Sequence, residues 1–102
     1  MTLGRLIETL RNTDPQRKVA AGFGYAHSYR GSYADVAFEP EKDTTVGKML
    51  FEAELALDTT YPGYKGGNFT MHKNVDCYLA YEGDTGEEIG PTLLQYMLGE
   101  VR

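Results

Sequence analysis

Apolar residues recur along this chain at two different periods, and that mixture limits the folds open to it. Leu3, Leu6, Ile7 and Leu10 stand at i, i+3, i+4 and i+7, one face of a helix. Val46, Met49, Leu50, Ala53 and Leu57 repeat the helical spacing, and Leu93, Leu94, Met97 and Leu98 do so again near the end. Between the first two, Asp35-Val36-Ala37-Phe38-Glu39 alternates polar and apolar, the signature of a strand with one buried face. Both periods interleaved within 102 residues predict an α+β domain, a small, mostly antiparallel sheet of three or four strands packed against about three helices. The length allows one core, so residues 1–102 are expected to form a single domain. A domain this short buries only roughly two-thirds of the surface its unfolded chain exposes, so a homo-oligomer sharing an interface is expected.

Turn and cap residues set the boundaries. Thr2 is a candidate N-cap, and Asn12-Thr13-Asp14-Pro15 stops the first helix, predicted over 3–12. Asp43, Thr44 or Thr45 can cap a second over 46–57, and Pro91 suits the first turn of a third over 91–99. Lys18–Ala21 reads as a strand running into a glycine-rich loop at 22–33. Pro40 is expected to end the strand that places Val36 and Phe38 in the core. Phe69–Met71 and Val75–Tyr81 read as strands joined in a hairpin through His72-Lys73-Asn74. Met49 and Met97 fall on apolar helix faces, and Cys77 reads as a small buried apolar residue.

Several function classes drop out. No apolar run approaches the ~18 residues of a membrane helix, and the first residues mix charge with Leu and Ile, so no membrane association and a cytoplasmic location are expected. One cysteine and two histidines supply no metal-ligand set, and no cofactor is expected. Gly22-x-Gly24 lacks the third glycine of a dinucleotide fingerprint. Lys65-Gly66-Gly67 places its lysine before the glycines, the reverse of a phosphate-binding P-loop.

What remains is an uneven distribution of charge. Segments 22–33 and 61–74 contain none of the 15 carboxylates, yet they hold Arg30, Lys65, Lys73, His27 and His72. They also hold five of the eight tyrosines and six of the twelve glycines. In a chain of net charge -5, such segments are suited to receive an anion. Glycine lets backbone N–H groups approach a phosphate; arginine grips phosphate oxygens with a planar fork, and lysine supplies a point charge. Tyrosine stacks on a base and still offers a hydroxyl. Tyr25, His27, Ser28, Tyr29, Arg30, Tyr64, Lys65, Gly66 and Gly67 are therefore the candidate ligand-binding residues, for a small phosphorylated nucleotide. Long nucleic acid is not expected, because the acidic balance leaves no extended basic surface. His27 and His72 could instead transfer protons in a hydrolase of such a ligand. Glycine and tyrosine also serve turns and sheet edges without any ligand.

The phrases GFGYAHSYRGSYADVAFEP (22–40), TVGKML (45–50), YPGYKGGNFTM (61–71) and GEEIGPTLLQYML (86–98) resemble a family of small proteins encoded in bacteriophage genomes. The resemblance covers nearly the whole chain, with HSYRG and GYKGG as its marks. In size and pocket chemistry the chain is also similar to phage anti-defence sponges, compact oligomers that sequester cyclic nucleotide or cyclic ADP-ribose-type immune signals. That similarity implies a non-enzymatic homo-oligomer in the host bacterial cytoplasm that holds its ligand without cleaving it. The alternatives are the hydrolase using His27 and His72, and an inhibitor that meets a host protein through its acidic surface.

Overall fold

The computed structural model describes residues 1–31, 34–62 and 67–99. Thr2 caps α1 (Leu3–Arg11), its side chain accepting from Arg5 N at 3.3 Å, and all four periodic residues of that helix are buried. β1 (Lys18–Ser28) follows, then a single 3-10 turn at Tyr29–Gly31. β2 (Val36–Thr45) lies antiparallel to β1, with Lys18 opposite Thr45 and Ser28 opposite Val36. Thr45 caps α2 (Val46–Ala56) by accepting from Lys48 N at 3.2 Å. That helix packs Val46, Met49, Ala53 and Ala56 toward β1 and α1.

β3 (Thr60–Pro62) and β4 (Asn68–Thr70) form a separate antiparallel pair. β5 (Cys77–Leu79) joins β2 in parallel, and β6 (Glu87–Glu88) joins β5 antiparallel, giving a four-stranded sheet in the order β1-β2-β5-β6. α3 (Pro91–Met97) closes the described chain with its proline in the first turn. The architecture is α+β, with three α-helices on a mostly antiparallel sheet among the described residues. One continuous apolar cluster draws on all three helices and both long strands, centred on Phe23 and Phe38, whose rings lie 4.4 Å apart. Val36, Phe38, Met49 and Cys77 are fully enclosed in it, and Met97 lies at its edge.

The glycine-rich stretch after Ala21 departs most from expectation. It is strand, not loop, as far as Ser28. Gly22 is there because a side chain has no room, whereas at Gly24 a Cβ would meet the movable end of the Glu41 side chain. A Cβ on Gly22 would lie 2.8 Å from Thr44 Cγ2 and 2.9 Å from Met49 Sδ; one on Gly24 would lie 2.5 Å from Glu41 Oε2. In sequence such close approach looks the same as turn chemistry.

β2 likewise runs through Pro40 to Thr45. Pro40 lies beyond Val36–Phe38, the stretch of β2 that β5 pairs with, and next to the irregularity in β1 between Phe23 and Ala26. Its missing N–H therefore leaves no gap in the β2–β5 ladder. The hairpin expected through His72-Lys73-Asn74 does not form, since β4 pairs with β3 and β5 with β2. Instead the 73–75 segment takes up the first N–H groups of α1: Leu3 N donates to Val75 O and Gly4 N to Lys73 O. Those are donors a helix start leaves without partners. The helices end one or two residues sooner than their periodicity suggests, because Asn12, Leu57 and Leu98 are caps rather than helical residues.

Candidate functional site

Along β1, the residues of the first acid-free segment point in different directions. Tyr25 is exposed, whereas His27 and Ser28 are buried. His27 Nδ1 lies 3.0 Å from Ser28 O and Nε2 lies 3.1 Å from Ala80 O. Nε2 is also 3.7 Å from a Glu39 carboxylate oxygen. The ring reaches from β1 across β2, where Ala37 is its register partner, to the residue after β5. Both hydrogen-bond partners are carbonyl oxygens, which only accept, so the ring makes both bonds together only when each nitrogen carries a proton. With a single N–H the ring donates to one of the two, so His27 is held inside the fold with both nitrogens facing main-chain carbonyls.

Tyr29 is also used internally. Its ring stacks on that of Tyr78 at 3.9 Å and 9°, and its hydroxyl donates to Gly86 O and accepts from Gly86 N, each at 3.3 Å. Burial pushes the Tyr78 hydroxyl up from its ordinary pKa, and Asp35, Glu88 and Asp76 push it further. Arg30 occupies the 3-10 turn with φ of 57°, a left-handed conformation uncommon outside glycine.

In the second segment, Gly67 has φ of 84° and open space around it, so its glycine is required by the backbone and not by packing. Tyr64, Lys65 and Gly66 lie outside the described residues. His72 is exposed in the turn after β4, where its Nδ1 accepts from Asn74 N at 3.2 Å.

The two segments do meet. β3 packs beside β1, and Tyr61 of β3 lies within electrostatic reach of Tyr25 and of Glu52 on α2. Burial pushes the Tyr61 hydroxyl up from its ordinary pKa, and then Tyr25 and Glu52 add to the shift. The two acid-free segments thus meet through β1 and β3, with Tyr25 near Tyr61 and the Glu52 carboxylate of α2 near it as well. Sequence reading found both segments but not this pairing, which depends on a contact between strands 36 residues apart.

One concave feature went unnoticed in the sequence. A groove of about 620 Å³ lies between the β1–β2 ribbon and α3, with Ala20, Ala21, Gly22 and Pro40 on the strand side and Leu93, Tyr96 and Met97 on the helix side. Lys18 and Lys42 line it as well. The available signal was the pair of lysines flanking a run of small residues at the start of β1 and in the middle of β2. Cys77 is not part of any site: burial pushes its thiol up to about 12. Among the described residues no cluster of His, Cys, Asp or Glu could hold a metal ion, and no helix is long and apolar enough to cross a membrane.

Compared with known proteins, the chain matches no family, no curated protein and no solved structure. Its function must be argued from its own geometry.

Proposed function

We propose that the protein binds a small phosphorylated nucleotide without cleaving it, as a homo-oligomer that acts in phage anti-defence by sequestering an immune signal of the cyclic nucleotide or cyclic ADP-ribose type. The observation that carries the binding reading is the meeting of the two acid-free segments at Tyr25 and Tyr61. An exposed tyrosine beside a half-buried one offers a stacking surface for a base. In this reading Tyr25 and Tyr61 hold the base, while Arg30 and Lys65 meet the phosphates. His27, Ser28 and Tyr29 support the frame and do not touch the ligand.

The same geometry favours holding over hydrolysis. Proton transfer by His27 would require it to release a main-chain carbonyl that it bonds inside the sheet.

A thermal-shift panel of mono-, cyclic di- and cyclic ADP-ribose-type nucleotides tests the reading, followed by heat release and chromatography of the small molecule. A binder raises the melting temperature in a saturable way through mass action, and the expected result is a shift with the ligand recovered intact. Arg30→Ala and Tyr25→Ala should each weaken that shift while the unliganded protein still unfolds in one cooperative transition. Recovery of cleaved ligand would replace sequestration by hydrolysis. No shift with any member would overturn the nucleotide reading and bring forward a host protein as partner, to be sought by pull-down.

A further inference from the structure

We propose that the groove between the β1–β2 ribbon and α3 is a second binding site, for a small amphipathic anion with a flat apolar body and one negatively charged head. It is independent of the nucleotide reading, which concerns the Tyr25–Tyr61 edge.

The groove's volume of about 620 Å³ falls in the range of small-molecule sites. Its strand side is built from residues with little or no side chain: Ala20, Ala21 and Gly22, with Pro40 across the ladder. The Cβ direction of Gly22 points away into the core, toward Thr44 and Met49, so its backbone faces the groove. Such a floor is flat. The opposite wall has Leu93, Met97 and Tyr96, the last with 63% of its surface exposed although it is a large aromatic. A planar ring system fits between a flat strand face and this wall, and it would cover apolar surface that water now meets.

Charge sets the sign of the ligand. Lys18 and Lys42 line the groove, are exposed, and make no ion pair among the described residues. Glu41, the carboxylate on the same rim, is paired through Oε1 with Lys48 at 3.1 Å, while its Oε2 is buried without a hydrogen-bond partner among the described residues. Arg17 lies at the end of α3, where its Nη1 donates to Leu98 O at 3.1 Å. In a chain of net charge -5, two lysines thus stand on the rim of this apolar recess. An uncharged ligand would leave that arrangement unused, and a cationic one would be repelled.

Three probes of one shape separate these possibilities: 2-naphthoate, 2-naphthylmethanol and 2-naphthylmethylammonium, each titrated into the isotope-labelled full chain and followed by its amide signals. Naphthoate should produce saturable shifts at Ala20, Ala21, Gly22 and Leu93 to Leu98. The alcohol should bind more weakly and the ammonium compound not at all. Lys18→Gln with Lys42→Gln should weaken naphthoate by about tenfold, the loss of roughly one rim-exposed charge contact, and leave the alcohol's affinity unchanged. Ala21→Leu, which fills the floor from an exposed position, should abolish binding of both while the spectrum remains that of a folded protein. Naphthoate that causes no saturable shift at these amides, or shifts confined to those near Tyr25 and Tyr61, would overturn the site. Equal binding of all three probes, unchanged by loss of the lysines, would overturn the anionic assignment.

Discussion

Gly22→Ala tests whether the glycines of β1 serve packing or flexibility. A Cβ placed there meets Thr44 Cγ2 at 2.8 Å, Met49 Sδ at 2.9 Å and Val19 Cγ1 at 3.0 Å. All three belong to buried residues, so no side chain can swing into solvent to make room. Overpacking of this kind costs about 1–3 kcal/mol. For a domain of about 100 residues each kcal/mol lowers the melting temperature by roughly 4–8 °C. Urea unfolding should show the loss as a lower midpoint with an unchanged slope, because the surface exposed on unfolding is the same.

The cause is checked by a double-mutant cycle with Thr44→Ser, which removes the methyl group nearest the new Cβ. The double variant should be more stable than the sum of the single effects by about 0.5 kcal/mol or more, the coupling expected of groups in contact. Strict additivity would refute the steric argument, and an unperturbed Gly22→Ala would return this stretch to a loop-like role.

The remaining predictions concern other parts of the frame. His27→Leu leaves Ala80 O and Ser28 O without their ring partner inside the sheet and should cost about 1–3 kcal/mol, read by calorimetry; a neutral result would free His27 for another role. Gly67→Ala should cost about 1–2 kcal/mol through its left-handed backbone alone, and Gly67→Asn less, since nothing crowds the site. Cys77 should resist thiol reagents in the folded protein and react on unfolding. Because burial raises its thiol from 9.0 to about 12, the unfolded chain loses that proton first as pH rises. The contribution is complete below about pH 9 and falls by about 1.4 kcal/mol per pH unit above it. Cys77→Ala should flatten the alkaline limb of the stability profile by that amount, and superimposable profiles would show that the thiol is not shielded.

Some of this molecule could be read without coordinates. The three helices follow from apolar spacing alone, because a helix face depends on residues three and four apart and on nothing distant. Thr2 and Thr45 cap as local chemistry requires, and Val36, Phe38 and Cys77 are buried as expected, although Ala37 is buried as well, so β2 is covered on both faces there instead of one. The segregation of carboxylates from segments 22–33 and 61–74 is likewise a property of sequence.

Tertiary structure decided the rest, since these features depend on what stands opposite each residue. Gly22 reads as a loop glycine until Met49 and Thr44 are brought against it. His27 reads as a candidate acid or base until two carbonyls, one of them 53 residues away, take its nitrogens. Tyr25 and Tyr61 come near each other only when β3 docks beside β1. Strand pairing is long-range: β5 lies parallel to β2 and not in a hairpin with β4, because the 73–75 segment is committed to the start of α1. Local pattern fixes which residues turn inward. Only the packed chain determines which of them meet, and so which polar groups remain available to a ligand.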